Sequence, residues 1–398
     1  MSVDLTLDPR IEDLKQRTRS FIDEHVIPAE SEIDAHGAGL ADDRLAALRT
    51  VARRAGIFAP TAPEEFGGLA LDHRDQSVVL EESGRSVLGP AVLNCAAPDE
   101  GNILLLDKKT TPQQREQYLA PLARGEVRSA FSMTEPSPGA GADPEMLATT
   151  ATKVDGGWRI DGRKWLITGA DGAAFFITMA RTSERAATMF LVDAGHPGMT
   201  ISRHVTTLDS GFAGGHGELI YDHCVVPDSA VLGRVDEGFA DAQVRLGPAR
   251  LTHCMRWLGA ARRAHEVAVA YATARPMFGG RLADQGMAQE KIADNEIDIQ
   301  ASRLMIWNAA AVLDRHEPAR QETSTAKVFV AEAVNRIVDR SVQLCGGYGV
   351  SYDSPLPHIL REVRPFRIYD GPSEVHRRAI SRRAVRRSES GSLPGDYS

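Results

Sequence analysis

The hydrophobic period of this chain changes twice along its length, and that change limits the fold more than any single motif does. Up to about residue 126 the apolar residues recur at helical spacing. Ile11, Leu14, Phe21, Ile22 and Val26 fall on one face of "DPRIEDLKQRTRSFIDEHVIP". The pattern repeats in "DDRLAALRTVARRAG" with Leu45, Leu48, Val51 and Ala55, opening at acidic capping residues and closing at Gly56. In "TPQQREQYLAPLARG", Thr111 is the expected N-cap, Pro112 stands at the first helical position and Gly125 lies near the end. Between about 130 and 234 the period shortens. "LATTATKVDGGWRIDGRKWLITG" carries short β-prone runs, expected to break at Asp-Gly-Gly and Asp-Gly turns, and "AAFFITMART", "TMFLVDAG" and "GELIYDHCVVP" continue in that style. Short strands between turns predict an antiparallel sheet or barrel. From about 235 the helical period returns, with long helices expected over 236–273, 283–314 and 322–345 and a shorter one after Pro372. The expected fold is α+β and multidomain. It comprises an N-terminal α-helical domain (1–128), a middle antiparallel β-barrel domain (129–234), a C-terminal four-helix bundle (235–388) and a disordered tail (389–398).

Several function classes are disfavoured at this level. A formal net charge of −8 argues against a general affinity for nucleic acid or acidic membranes. The four cysteines, Cys95, Cys224, Cys254 and Cys345, are scattered without a C-x-x-C pair, so neither a zinc site nor a disulfide framework is indicated. They read as buried packing residues. His216 and His376 have no partner at metal spacing, and no metal is expected. The start has no apolar core of a signal peptide, and no run of about 18 apolar residues is long enough to span a membrane. A cytoplasmic setting without membrane attachment is expected. There is no G-x-G-x-x-G after a strand and no G-x-x-x-x-G-K-[ST], which disfavours a Rossmann dinucleotide site and a P-loop NTPase.

Near the end, "FRIYDGPSEVHRRAISRR" places an Asp-Gly-Pro turn ahead of an arginine-rich helix. The residues leave two readings for Asp370: a cap on the helix after Pro372, for which Asp is suited, or a catalytic base. The Arg pairs at 377–378, 382–383 and 386–387 read as a solvated helix face.

Four blocks bear on that choice. "FSMTEPSPGAGADP" (Phe131–Pro144) followed by "GRKWLITGA" (Gly162–Ala170) resembles the flavin-binding signature of the acyl-CoA dehydrogenase family. "ARPMFGGRLADQ" resembles its Arg-x-x-Phe-Gly segment, "VQLCGGYGV" its Gln-x-x-Gly-Gly-x-Gly segment, and "IYDGPSEVH" the segment carrying its catalytic carboxylate. The blocks stand in the family's order and spacing over nearly the whole chain. "NCAAPDEGN" and "DGPSEVH" look most like a branch with Asp at the base position.

The resemblance implies FAD-dependent α,β-dehydrogenation of an acyl thioester, acyl-CoA or carrier-bound, with Asp370 removing the α-proton. It implies that Phe131, Met133, Thr134 and Thr168 lie along the flavin ring, where N–H and hydroxyl groups stabilise charge gained on reduction. Gly141 and Ala142 match the loop facing the pyrophosphate and substrate, and Arg250 matches a residue at the substrate mouth. Arg275 and Phe278, with Gln343, Gly346 and Gly347, match positions that reach the FAD of a neighbouring subunit, and Gln285, counted with them as cofactor-binding, sits one place before the family's Gln. A homo-oligomer, dimer or tetramer, and an electron-transfer flavoprotein as acceptor are therefore expected. The alternatives are a nitroalkane oxidase-like flavin oxidase and a non-catalytic partner subunit. Three departures stand out. The flavin loop is two residues longer than the common spacing, Ala142 replaces a Ser, and Trp165 stands one place before the family's Trp position, here Leu166. The second position the family uses for a base is Ala249.

Overall fold

The computed structural model describes residues 6–33, 39–210 and 214–391. Its principal helices are α1 (Pro9–Phe21), α2 (Asp42–Arg54), α3 (His73–Ser83), α4 (Asp99–Lys109), α5 (Gly238–Ala274), α6 (Gly286–Asp314), α7 (Arg320–Cys345), α8 (Leu356–Val363) and α9 (Ser373–Glu389). The strands are β1 (Arg128–Ser132), β2 (Thr150–Val154), β3 (Gly157–Thr168), β4 (Ala173–Arg181), β5 (Ala187–Asp193), β6 (Met199–His204), β7 (His216–Pro227) and β8 (Val231–Leu232). Two compact units contain them. One comprises Asp13–Asp72 and Leu88–Ala249; the other comprises the residues up to Glu12, His73–Val87 and the chain from Arg250 onward. Among the described residues, no helix is long and apolar enough to cross a membrane.

In the first unit the helix ends follow the capping chemistry. Thr111 and Gln114 form a reciprocal capping box, with Pro112 at the first turn. Buried Arg49 on α2 satisfies carbonyls elsewhere in the unit, donating to Ala91 O at 3.2 and 3.0 Å and to Gly125 O at 2.7 Å. The sheet core is apolar and aromatic: Ile160, Phe176, Phe190, Val192, Leu219 and Val226 are buried in one cluster. Burial of this kind stabilises by about 1.5–3 kcal/mol per large side chain.

The sheet departs from the expected antiparallel barrel. Its strand path is open, running β6-β7-β3-β2-β4-β5-β8, and β1 lies off the path, paired in parallel with β4. Thr150 of β2 also meets Arg181 of β4 in parallel. Closure needs end strands that can pair with one another. Here one end strand is the two-residue β8 and the other, β6, is largely exposed after Met199. A second difference concerns turns. Asp155-Gly156 does make the β2–β3 hairpin, with Gly156 at φ +70°. Asp161-Gly162 does not turn; β3 runs through it with a register shift against β7. Gly162 is there for close approach, since a Cβ would lie 2.5 Å from Thr149 Oγ1.

In the second unit the helices sit within a few residues of the expected spans. α3 and α5 cross in backbone contact: a Cβ on Gly84 would lie 1.9 Å from Arg256 O, and one on Gly259 would lie 1.9 Å from Glu81 O. Around that crossing Arg262 binds Glu81 at 2.5 Å and Glu82 at 2.6 Å, and Arg303 of α6 binds Glu81 at 2.6 Å. α9 is helical to Glu389, and of the tail expected over 389–398 residues 392–398 lie outside the described residues.

Candidate active site

The sequence-predicted residues fall into groups that can be built one by one. In the first unit β1 delivers Phe131, then Met133 and Thr134, to a loop that returns through Gly141 and Ala142. A buried ion pair shapes the loop. Lys164 Nζ on β3 donates to Glu135 Oε1 at 2.9 Å and to Met133 O at 3.0 Å. Glu135 also accepts backbone N–H groups from Ala140 (3.0 Å), Ala148 (2.7 Å) and Thr149 (2.9 Å). Burial alone opposes ionisation of Glu135, but Lys164 and these N–H donors outweigh it and bring its carboxyl down to about 2.

Thr134 is tied to β3 from both sides. Its hydroxyl donates to Trp165 O at 2.8 Å, and its carbonyl accepts from Trp165 N at 3.1 Å. The displaced tryptophan has a local cause. The β3–β7 register slips between Lys164 and Ile167, and Leu166 sits in that bulge at φ +55°, 39% exposed. Phe131 is half-buried, with the Arg245 guanidinium 4.3 Å from its ring centroid. Thr168 Oγ1 lies 3.1 Å from His216 Nδ1, and His216 Nε2 lies 3.3 Å from Asp209 Oδ1. His216, which metal spacing gave no reason to single out, is thus a partner of Thr168. Gly141 is exposed, and a Cβ there would meet nothing within 4 Å.

In the second unit Asp370 sits at φ +52° in a segment held by its main chain. Its carbonyl accepts from Arg250 Nε of α5 at 3.0 Å and from His376 Nε2 of α9 at 3.1 Å. Lys327 of α7 donates to Phe366 O at 2.9 Å and Gly371 O at 2.8 Å. Burial pushes the Lys327 ammonium down to about 8, and burial, with Arg250 and Lys327 nearby, pushes the His376 imidazole down to about 4. The Asp370 carboxylate meets α5 instead: Oδ2 is 3.2 Å from His253 Nε2. Asp370 is not a helix cap. The N-cap of α9 is Pro372, without a side-chain capping bond.

Arg275 and Phe278 lie on a small exposed hairpin formed by Pro276–Met277 and Gly280–Arg281. Phe278 is 89% exposed at φ +50°, and Gln285 directly precedes α6. Gln343, Gly346 and Gly347 are exposed where α7 ends. Gly346 adopts φ +56°, ψ −131°, a conformation suited to glycine. Tyr271 and Tyr348 stack at 5.6 Å and 11°, which brings the approach to the hairpin beside the glycine turn.

His253, Arg256, Lys327 and the Glu135–Lys164 pair did not emerge from sequence reading. A signal existed for the first two: Arg250, His253 and Arg256 recur every third residue of α5, on one side of the helix. None of the four cysteines is in a disulfide, and all four are buried.

Three family models match in order: the acyl-CoA dehydrogenase N-terminal domain over residues 8–126, the middle domain over 130–224 and the C-terminal domain over 236–385. The chain belongs to the acyl-CoA dehydrogenase family. It is 37% identical to FadE2 of Mycobacterium tuberculosis, covering 98% of both chains. It is 32% identical to acyl-CoA dehydrogenase family member 11 of Homo sapiens, covering 93% of this chain and only 50% of that longer protein. Among solved structures, a Mycobacterium abscessus relative superposes with a TM-score of 0.91 at 34% identity, over 96% of this chain and 100% of that one. Butyryl-CoA dehydrogenase of Megasphaera elsdenii gives 0.86 at 26% identity, over 96% and 100%.

Proposed function

We propose that the protein is an FAD-dependent acyl-CoA dehydrogenase of a branch that uses Asp as its base, acting on a CoA- or carrier-bound acyl thioester. The observation that carries this reading is Asp370. Its main chain is bound by Arg250 and His376, its carboxylate is placed against a buried histidine, and it has no capping duty. A carboxylate held this way is suited to remove a proton from carbon.

The residues present fit FAD. Gly141, Gly346 and Gly347 offer backbone beside which a Cβ would meet nothing within 4 Å, which suits the approach of a pyrophosphate. Phe131, Met133, Thr134 and Thr168 would hold the ring. Arg275, Phe278, Gln285 and Gln343, with the two glycines of the α7 turn, would bind the cofactor of a neighbouring subunit. When bound, FAD supplies a hydride acceptor at N5. Thr168 would donate to the ring where charge builds up, while the Thr134 hydroxyl stays on Trp165 O. Ala142 and Arg250 would border the substrate, and Asp370 would take the α-proton. The large exposure of Phe278 and of Val350 (68%) supports a homo-oligomer, dimer or tetramer.

The remaining parts of the proposal are a cytoplasmic enzyme of fatty acid metabolism with an electron-transfer flavoprotein as acceptor. The domain borders proposed are 1–128, 129–234 and 235–388, the last a four-helix bundle. The test is anaerobic bleaching of the bound flavin against a panel of acyl-CoAs, acyl-carrier thioesters and nitroalkanes. Bleaching by a thioester is expected. Bleaching by nitroalkanes alone would replace the reading with an oxidase, and no bleaching at all would leave a non-catalytic subunit.

A further inference from the structure

Thr168 and His216 stand opposite one another at the paired ends of β3 and β7, so their side chains leave the sheet as neighbours. Thr168 Oγ1 hydrogen-bonds His216 Nδ1 at 3.1 Å, and His216 Nε2 hydrogen-bonds Asp209 Oδ1 at 3.3 Å. The His216 and Asp209 side chains are only 11% and 10% exposed. Burial opposes the charge on Asp209, but its contacts with His216 and Thr207 outweigh burial and hold the carboxyl below the usual carboxylate range. An ionised carboxylate only accepts, so His216 Nε2 carries a proton whether the ring is neutral or charged. What varies is Nδ1. In the neutral ring Nδ1 is a lone pair, and the Thr168 hydroxyl gives its proton to it. In the imidazolium Nδ1–H donates to Thr168 Oγ1, and the Thr168 proton is released for another acceptor.

We propose that His216 is a positioning residue for Thr168: Asp209 fixes the proton on Nε2, and the proton on Nδ1 decides whether the Thr168 hydroxyl points at His216 or donates to the flavin ring. The inference rests on the reading that Thr168 lies along the ring of a bound FAD. A donor at the ring stabilises the charge gained on reduction, so the doubly protonated His216 favours the reduced form. That gain is present on the acid side of the His216 ionisation and is lost as pH rises through it. The imidazolium is paired with the Asp209 carboxylate, so the two charges offset one another and the effect runs through Thr168. Other charged groups stand on the elements packed around the ring. Arg128 of β1 approaches the preceding turn, where a Cβ on Gly214 would lie 3.1 Å from its Nη1. Asp171 bonds that same glycine through its main chain, and His204 of β6 is paired with Gly217. Glu218 holds Arg163 and Arg203, and Lys164 holds Glu135.

The experiment is a double-mutant cycle read by the midpoint potential of the bound flavin, measured across pH on the FAD-loaded protein without substrate. His216→Phe keeps a ring and removes both nitrogens; Thr168→Val keeps the shape and removes the hydroxyl. At the acid end the wild-type potential should exceed that of His216→Phe by about 30 mV. That is a tenfold change in a two-electron equilibrium, the scale of one hydrogen bond to a charged group. The difference should fall away as pH rises. In the Thr168→Val background His216→Phe should move the potential by less than about 10 mV, roughly twofold in that equilibrium. No difference between wild type and His216→Phe at any pH would overturn the proposal. So would an equal difference in both backgrounds, because the histidine would then act on the flavin without Thr168.

Should the variants not fold, the wild type still decides. Solid-state ¹⁵N spectra of the uniformly labelled protein, with His216 assigned through its backbone correlations, should show Nε2 protonated throughout and the titrating proton on Nδ1. A neutral ring that carries its proton on Nδ1 overturns the proposal whatever the potentials do. A protein that takes up no FAD is a separate failure. It removes the flavin reading, and the tautomer of His216 still tests its tie to Asp209 and Thr168.

Discussion

Replacing Asp370 with Asn isolates the basicity of one oxygen with little disturbance around it. Asn tolerates positive φ, so the backbone at +52° can persist. The donors from Arg250 and His376 go to the carbonyl of residue 370, which the substitution leaves in place. An amide can take the place of the carboxylate beside His253, whose Nε2 lies 3.2 Å from Oδ2. What is lost is the lone pair that takes the α-proton. General-base catalysis contributes about 10²–10⁴-fold, and each tenfold is about 1.4 kcal/mol of barrier, so the barrier should rise by ~3–5 kcal/mol. The assay is stopped-flow flavin reduction under anaerobic conditions, at matched flavin content, with thermal melts of both proteins. The melting temperatures should agree within a few degrees, the effect of less than about 1 kcal/mol. A folded, flavin-loaded Asp370→Asn enzyme that reduces its flavin within about threefold of wild type would refute the assignment. Asp370→Glu is a harsher change than the family resemblance suggests. It adds about 1.5 Å of reach and puts a longer side chain at a positive φ.

Arg275→Ala should lower FAD retention after gel filtration and weaken assembly, because a phosphate-facing guanidinium is removed; full flavin occupancy in an unchanged oligomer would make Arg275 an ordinary surface residue. Lys164→Met leaves the Glu135 carboxylate buried without its cation and should cost about 3–5 kcal/mol in urea unfolding; a loss below about 1 kcal/mol would mean water reaches the pair. Glu135 has its folded value lowered to about 2, so its contribution to stability is complete above the ordinary carboxylate range and is lost as pH falls through about 2. Glu135→Gln should therefore flatten the acid-unfolding profile in that window, and an unchanged slope would contradict the assignment. Gly259→Ala places a methyl 1.9 Å from Glu81 O and should lower the melting temperature by the several degrees expected for overpacking of about 1–3 kcal/mol; an unmoved melt would mean α3 and α5 do not cross so closely.

The helices were legible because burial imposes a period that local sequence displays. The span expected over 283–314 is observed as Gly286–Asp314, and that over 322–345 as Arg320–Cys345. The sheet was less legible, because pairing is set between distant segments. Nothing local distinguishes the Asp155-Gly156 turn from Asp161-Gly162, and only the approach of Thr149 shows that the second glycine is a contact point. The same holds for the parallel pairing of β1 with β4, which depends on where the chain returns after residue 168. At the candidate site, the block around Asp370 was visible as a motif, but its neighbours were not. His253 reads as one more residue on an amphipathic helix until Asp370 lies 3.2 Å away. Lys327 reads as a lone cation in an apolar run until Phe366 O and Gly371 O are found to accept its protons.

Three carbonyl oxygens of the segment from Phe366 to Gly371 are held by Arg250, Lys327 and His376 on three different helices. Every amino acid has a carbonyl, so this fastening does not depend on which side chain residue 370 carries. Position 370 is in that sense a tool holder: the grip and the tool are separate parts. A lineage using such a grip can exchange Asp370 for another residue that accepts a positive φ without first rebuilding the turn. Changes to the three cationic or imidazole donors, by contrast, would loosen the turn whatever residue it carried. Variation among residues that accept a positive φ should accordingly be tolerated at 370 by the fold and filtered there by chemistry, and at 250, 327 and 376 the order of the two pressures is reversed.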